Sequence, residues 1–497
     1  MSYSCKNSCE NSFENNGTNN FVNSGVNRQN YLHVVRCLRL FILIFFLNGC
    51  ATSSIFNPYP SQLAEIKSNV ENGDFPNALK TLDKKRNSKD KTLYMLERGR
   101  ISQLQGDEDV SLSDFELAIN SEVIADEKAR ISASGTVASG LALFSNDNAI
   151  GYQASSYERV MMHHYQAINY LKKKDVEGAG VEVRRAALEQ RDAMERHSKA
   201  IAQAEKEART NNYNPAENSA QINQRFAAMY TAAGDVKNSF QNAYTFYVSG
   251  LIYELLGEPN DAYIDYKKAL EIYPGNTVVQ QDLLRLSRNL GFNEDYDIFS
   301  KKFNHQGEKA KPGEGELVIL YEDGYVPVKE EIGIPIGARR TIHTVSFPIY
   351  RDLSRQTGRL SLSNELGVIG YTSMICDFRA LAVKDLQEKL PGIVIRQVLR
   401  LIAKEGMRKT ADNNLGAAGS IAAIIFNVVS ERADRRSWLT LPRNAQILRV
   451  RLPAGVQELN LSSSNGERDT ISVNIREDKM SILHVVGTRN QLFVHSL

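Results

Sequence analysis

At 497 residues the chain exceeds what one hydrophobic core organises, and two or three domains of about 100–200 residues are expected. Its 42% hydrophobic and 24% charged fractions are those of a soluble globular protein, and a formal charge of +2 excludes an overall bias toward nucleic acid. Four of the cysteines (Cys5, Cys9, Cys37, Cys50) crowd the first tenth of the chain and only Cys376 lies beyond it. If that tenth is removed and Cys50 is modified, no intramolecular disulfide is possible and packing alone must stabilise the fold.

Arg36 and Arg39 precede the run Leu40-Phe41-Ile42-Leu43-Ile44-Phe45-Phe46-Leu47, too short for a stable membrane span and right for a signal-peptide core. Leu47-Asn48-Gly49-Cys50 follows directly and resembles the lipobox of bacterial lipoproteins. The resemblance implies that the Cys50 thiol receives diacylglycerol, with small Gly49 giving the signal peptidase access to the bond. Two or three acyl chains, at about 0.8 kcal/mol per buried CH₂, anchor a protein essentially permanently. Ala51 in place of an aspartate implies delivery to the outer membrane. Residues 1–49 are expected to hold the signal peptide behind an unusually long Asn- and Ser-rich stretch, either because the true start lies near Leu32 to Val35, the favoured reading, or because the stretch is an extension lost on processing, and 50–60 are expected to form the lipidated tether.

From Ser61 onward apolar residues recur at helical spacing, punctuated by Gly73-Asp74, Gly106-Asp107 and Gly257-Glu258. The first two pairs are 33 residues apart, near the period of tetratricopeptide repeats (TPRs), in which two antiparallel helices per unit stack into a superhelix. The segment 243–276 fits best, placing Phe246, Gly250, Tyr253, Ala262, Tyr266, Ala269 and Pro274 at the repeat's characteristic positions. Ala167, Tyr170, Ala179, Val183 and Ala186 mark a second unit, Gly99, Gly106, Phe115 and Ala118 a third, and Gly73 with Ala78 a weaker one. A long charged helix over about 176–209 breaks the register, so 61–300 is a TPR-like helical domain and not a regular array. On the inner face of the first helix of 243–276, Tyr244, Tyr247, Leu251 and Glu254 are candidates to receive a protein partner or to pack on a neighbouring repeat.

After the polar linker 301–315 the hydrophobic period changes from 3.6 to 2. Leu317 to Tyr321, then Leu448, Val450 and Leu452 alternating with Arg449 and Arg451, then Ile471, Val473 and Ile475, predict strands. Met480 to Val486 and Gln491 to Leu497 add two more. Two helices are expected, over Ala380 to Arg408 and over the small-residue segment Leu415 to Val429. The second spans only about 22 Å at 1.5 Å per residue, short of a bilayer core, and is read as buried, inserted at a membrane surface, or paired through Gly416, Ala417 and Gly419. Arg432, Arg435, Arg436, Arg443, Arg449 and Arg451 surround the single tryptophan, Trp438. Arg435, Arg436 and Trp438 are candidates to hold a glycan, lipid headgroup or acidic partner, against the plainer reading of solvated charges around a core tryptophan. The predicted fold class is α+β multidomain: an all-α TPR-like region, then a mixed α/β domain (316–497) rich in antiparallel strands.

Tyr157-Glu158-Arg159, Tyr165-Gln166-Ala167-Ile168-Asn169-Tyr170-Leu171, Val181-Glu182-Val183-Arg184-Arg185, Tyr321-Glu322-Asp323-Gly324 and Arg436-Ser437-Trp438-Leu439-Thr440-Leu441-Pro442 together resemble a family of proteobacterial TPR-like outer-membrane lipoproteins. The resemblance covers most of the mature chain and implies a role in envelope assembly; it carries over no catalytic residue. Chemistry is not indicated by the residues either. His163-His164 are adjacent, so on a helix their rings diverge by about 100° and share one ion poorly. No Walker A loop, GxGxxG or GxSxG elbow occurs. Cys376 could meet His343 or His484, but its apolar flank favours a buried, inert thiol. The expectation is a non-enzymatic, lipid-anchored periplasmic scaffold without cofactor or metal, facing a protein partner in the envelope. Two alternatives are a glycan-binding or glycan-processing protein acting through the carboxy-terminal domain, and a subunit of an export assembly.

Overall fold

The computed structural model describes residues 57–133, 150–211, 213–234, 236–307, 309–338, 341–354, 358–403 and 432–497. Cys50, the leader and the apolar segment Leu415 to Val429 lie outside the described residues.

Paired helices open the chain: α1 (Tyr59–Glu71) with α2 (Phe75–Asp83), α3 (Lys91–Gln105) with α4 (Glu108–Ala133), and α5 (Ser156–Lys172) with α6 (Val176–Thr210). After a 3₁₀ turn at Pro215–Asn218 and α7 (Ser219–Ala233) come α8 (Ala243–Leu256) with α9 (Pro259–Ile272), and α10 (Thr277–Asn289) with α11 (Asn293–Phe303). Local chemistry sets these boundaries. The Asn242 side chain accepts from the N–H groups of Tyr244 and Thr245 at 3.0 and 3.3 Å, capping α8. Gly257, at φ +74°, closes the same helix in the left-handed conformation that glycine adopts without penalty. Gly250 is a packing device: a Cβ there would run into the Tyr266 ring, so its bare backbone lets α8 and α9 approach. Gly99 does the same against Phe115 for α3 and α4. The expected unit at 243–276 is therefore the helical hairpin α8–α9, and the weaker units at Gly99 and Ala167 are α3–α4 and α5–α6.

The remainder holds β1 (Glu314–Asp323), β2 (Glu330–Ala338), β3 (Thr341–Ile349), β4 (Leu360–Asn364), β5 (Gly367–Tyr371) and β6 (Ser373–Asp377). Helix α12 then runs from 378 to 403 as far as the described residues reach. It is followed by β7 (Asn444–Pro453), β8 (Gly455–Ser463), β9 (Arg468–Ile475), β10 (Met480–Gly487) and β11 (Leu492–Ser496). Five strands form one sheet in the order β11-β10-β1-β7-β6, and four form a second in the order β5-β4-β8-β9. β2 and β3 make a separate hairpin. Most pairings are antiparallel, but β1 runs parallel to β10.

Strand β1 is central and covered on both faces, which is why its apolar run Leu317-Val318-Ile319-Leu320-Tyr321 does not alternate with polar residues. Leu317, Ile319 and Tyr321 pack with Leu448, Leu452, Leu459 and Leu461 in a core between the two sheets. Val318 and Leu320 belong with Ile447 to the larger core that contains the helices. The result is three layers: paired helices, five-stranded sheet, four-stranded sheet. Both sequence regions lie in one compact unit, Ser53–Leu497, and the polar linker is a crossing of the chain over a shared core.

Candidate functional site

The inner helices α3, α5 and α8 face the five-stranded sheet and the segment 434–442 that leads into β7. Apolar side chains fill most of that boundary, but it is fastened by buried charge. Glu97 on α3 accepts from the main-chain N–H groups of Leu439 and Thr440 at 2.7 and 3.0 Å, and from the Tyr59 hydroxyl at 2.9 Å. Glu158 on α5 accepts from the N–H of Trp438 at 2.8 Å and from the N–H of Ser155 at 2.7 Å. Two repeat helices thus hold by carboxylates the backbone of a segment that turns at Leu439 and Thr440, as a helical-repeat groove would hold a peptide, but here the segment belongs to the same chain. Trp438 is fully buried, its ring centroid 5.6 Å from Phe115 and 5.7 Å from Tyr165, and its Nε1 donates to Thr440 at 2.9 Å.

A second fastening lies at the end of β1. Glu322 is completely buried and pairs with Arg100 of α3. It also accepts from the hydroxyls of Tyr165 on α5 at 3.1 Å and Tyr244 on α8 at 3.2 Å, and meets His484 Nε2 on β10 at 3.1 Å. Burial alone would push this carboxyl up. The Arg100 guanidinium and His484 outweigh it and hold the group down at about 2. Glu97, which accepts hydrogen bonds but has no ion pair among the described residues, is pushed up to about 7 by burial. Arg449 on β7 makes the third fastening, reaching Glu254 of α8 at 3.0 Å and Asp282 of α10 at 2.9 Å.

These contacts correct the expected partner surface. Tyr244, Tyr247 and Leu251 are fully buried, and Glu254 is tied to Arg449 and to Arg285, the latter at 2.7 Å. The inner face meets the chain's own sheet and is closed to another protein. The basic cluster is likewise dispersed. Arg436 is buried between Asp90 and Asp434, Arg443 pairs with Asp352, and Arg451 pairs with Glu316. Arg435 stays half-buried at the edge of a small pocket with Gln62 and Tyr94. With its indole inside the core, Trp438 cannot stack on a sugar.

His163 Nδ1 meets Glu182 at 2.7 Å, whereas His164 lies 4.6 Å from the Tyr244 ring and is held neutral by burial, down to about 3. The adjacent rings point to different neighbours, as their helical offset requires. Cys376 is buried on β6 and its thiol is pushed well up by desolvation. His484 is engaged by Glu322 and His343 sits on the separate β2–β3 hairpin, so neither is arranged as its base. Among the described residues, no group of three or more His, Cys, Asp or Glu side chains could hold a metal ion. No helix among them is long and apolar enough to cross a membrane.

Sequence reasoning missed Glu97 and Arg100, and met Glu158 and Glu322 only within the runs of the family resemblance, with no role for them. The signal was present as charges inside otherwise apolar runs, Leu93-Tyr94-Met95-Leu96-Glu97 and Leu320-Tyr321-Glu322. Such charges need a buried partner, and the sequence does not say which one.

No family model matches the chain, and no curated protein matches it. Among solved structures, a crystal structure of MamA aligns with 47% of this chain and 90% of its own length, at 14% identity and a TM-score of 0.26. The TPR2AB domain of yeast Sti1, determined in a pHSP90 complex, aligns with 49% of this chain and 92% of its own, at 13% identity and 0.19. A tetratricopeptide repeat protein from Parabacteroides merdae aligns with 46% and 98%, at 15% identity and 0.13. At these scores the TPR-like description rests on the helical hairpins of this chain itself.

Proposed function

We propose that the protein is a scaffold of the cell envelope, tethered to the outer membrane by lipid on Cys50, whose outer helices present a surface to a protein partner in the periplasm. The observation that carries this reading is the contrast between the two sides of the helical layer. The inner helices are spent on the chain's own sheet. The outer helices leave large apolar side chains in solvent: Val181, Leu188, Met194 and Ile201 on α6, with Leu188 47% and Met194 57% exposed, Val123 and Ile124 on α4, and Ile264 on α9. Scattered exposed apolar residues are ordinary, whereas four on one long helix make it a candidate contact surface.

At 100° per residue Val181 and Leu188 share one side of α6, and Met194 and Ile201 share a second side about 120° further round, so the exposed apolar side chains form two pairs along the helix. Glu195, seven residues beyond Leu188, and Arg184 put charges among these side chains, a mixed surface suited to reversible association. Two measurements test the reading. Mass spectrometry of protein from its native membrane is expected to find a diacylglycerol thioether on Cys50; an unmodified thiol there removes the tether. Crosslinking in cells followed by identification of the attached protein is expected to recover a partner that is lost with Leu188→Lys/Met194→Lys. Undiminished capture by that variant would place the partner surface elsewhere.

A further inference from the structure

A cleft of about 700 Å³ opens where the end of α7, the loop before α8, the end of α9 and the β6–α12 junction meet. Its size is that of a small-molecule site. The walls are mixed: Val236, Ile272, Pro274, Leu353, Ile375 and Leu381 give an aliphatic side, and Thr231, Asn238, Gln241 and Tyr273 a polar one. The charged groups at the cleft are Lys237, Arg379, Asp377 and Glu271, and their remaining hydrogen-bonding capacity is uneven.

Arg379 is only 5% exposed. Its Nη1 donates to the carbonyls of Ala232 and Leu353, both at 3.2 Å, and its Nη2 to Asp377 Oδ2 at 2.7 Å. A guanidinium has five N–H groups, so Nε–H and one Nη2–H have no acceptor among the described residues. Asp377 is committed on both oxygens, because Oδ1 accepts from the N–H of Ala380 at 3.1 Å and caps α12. Glu271 is exposed at the rim. Lys237, also exposed, has no ion pair among the described residues. What remains inside and at the mouth is donor capacity: a buried arginine with unspent N–H groups and an ammonium, beside an aliphatic wall.

We propose that this cleft binds a small amphiphilic carboxylic acid, with the carboxylate on Arg379 and Lys237 and the aliphatic body against the wall. A carboxylate accepts from Arg379 at the two positions left open and needs no new cation. Burial of the alkyl part adds hydrophobic stabilisation that a fully polar anion lacks.

Octanoate, octanol and octylammonium, each titrated calorimetrically into the full chain, test this directly. Octanoate is expected to bind at least tenfold more tightly than the other two. Lys237→Glu, a surface change that leaves the fold intact, is expected to weaken octanoate at least threefold and to spare octanol. Because Cys376 lines the same cleft, octanoate is also expected to slow alkylation of that thiol, followed by peptide mass spectrometry. Equal binding of octanoate and octylammonium, no binding of octanoate, or an unchanged affinity in Lys237→Glu would each overturn the assignment.

Discussion

Two sides of one helical layer behave differently. The inner helices α3, α5 and α8 are buried nearly all round: Leu93 through Leu104 on α3, most of Tyr157 through Leu171 on α5, and Ala243 through Ile252 on α8. The outer helices α4, α6 and α9 bury one stripe and leave the other in water. A repeat scaffold commonly keeps its inner surface for a partner. Here that surface holds carboxylates and tyrosines that meet main-chain N–H groups, Glu322 and Arg449 of the same chain, so the inner face is occupied from within.

The strongest way to break the comparison is to remove charge from the inner face. Glu322→Gln leaves Arg100 buried without its counter-charge, and a loss of about 3–5 kcal/mol is expected in urea unfolding. Arg100→Met combined with Glu322→Leu is expected to recover only the part due to the unpaired charge, because Tyr165, Tyr244 and His484 still lose their buried acceptor. Glu97 provides a pH test of nearly the same size. Its folded-state proton affinity is raised from 4.5 to about 7, so the native state holds a proton that the unfolded chain has released. Stability from this group therefore falls as pH rises from about 4.5 to 7, by about 3 kcal/mol. Glu122 on α4, also raised to about 7 by burial, adds a slope of the same sign. Glu97→Gln is expected to flatten the unfolding free energy between pH 5 and pH 8, and an unchanged slope would show that Glu97 stays ionised throughout.

Smaller effects sharpen the comparison. Gly250→Ala forces the Tyr266 ring aside between an inner and an outer helix, and a cost of about 1–3 kcal/mol is expected in thermal or urea unfolding. Leu188→Lys with Met194→Lys, at two exposed positions of α6, is expected to change stability by no more than about 0.5 kcal/mol. Any larger loss there would mean that these positions are packed and not free.

The helical hairpins were legible in the sequence because their determinants are local. Gly250 faces Tyr266, Asn242 caps the helix it precedes, and Gly257 ends it, all within the same 243–276 segment. Strands β1, β7, β9, β10 and β11 were legible from alternation or an unbroken apolar run. β2 was not, because Gly333, Pro335 and Gly337 interrupt its pattern, nor was β8, where Gln457, Glu458 and Asn460 dilute the apolar positions. The inward-turned groove could not be read at all. Glu97 meets residues 342 and 343 positions away, and Arg436 meets Asp90 at a separation of 346. An arginine-rich stretch whose partners lie that far off looks like a solvent-facing patch until the chain is folded.

Hydrogen exchange of the intact chain tests the inward-turned groove most directly. The N–H groups of Trp438, Leu439 and Thr440 are expected to be protected as strongly as those of Val318 to Leu320, and in Glu322→Gln to lose protection together with α3 and α5 in one cooperative step. Rapid exchange over 434–442 while α3 and α5 remain protected would contradict it, because the inner face would then be open to another chain.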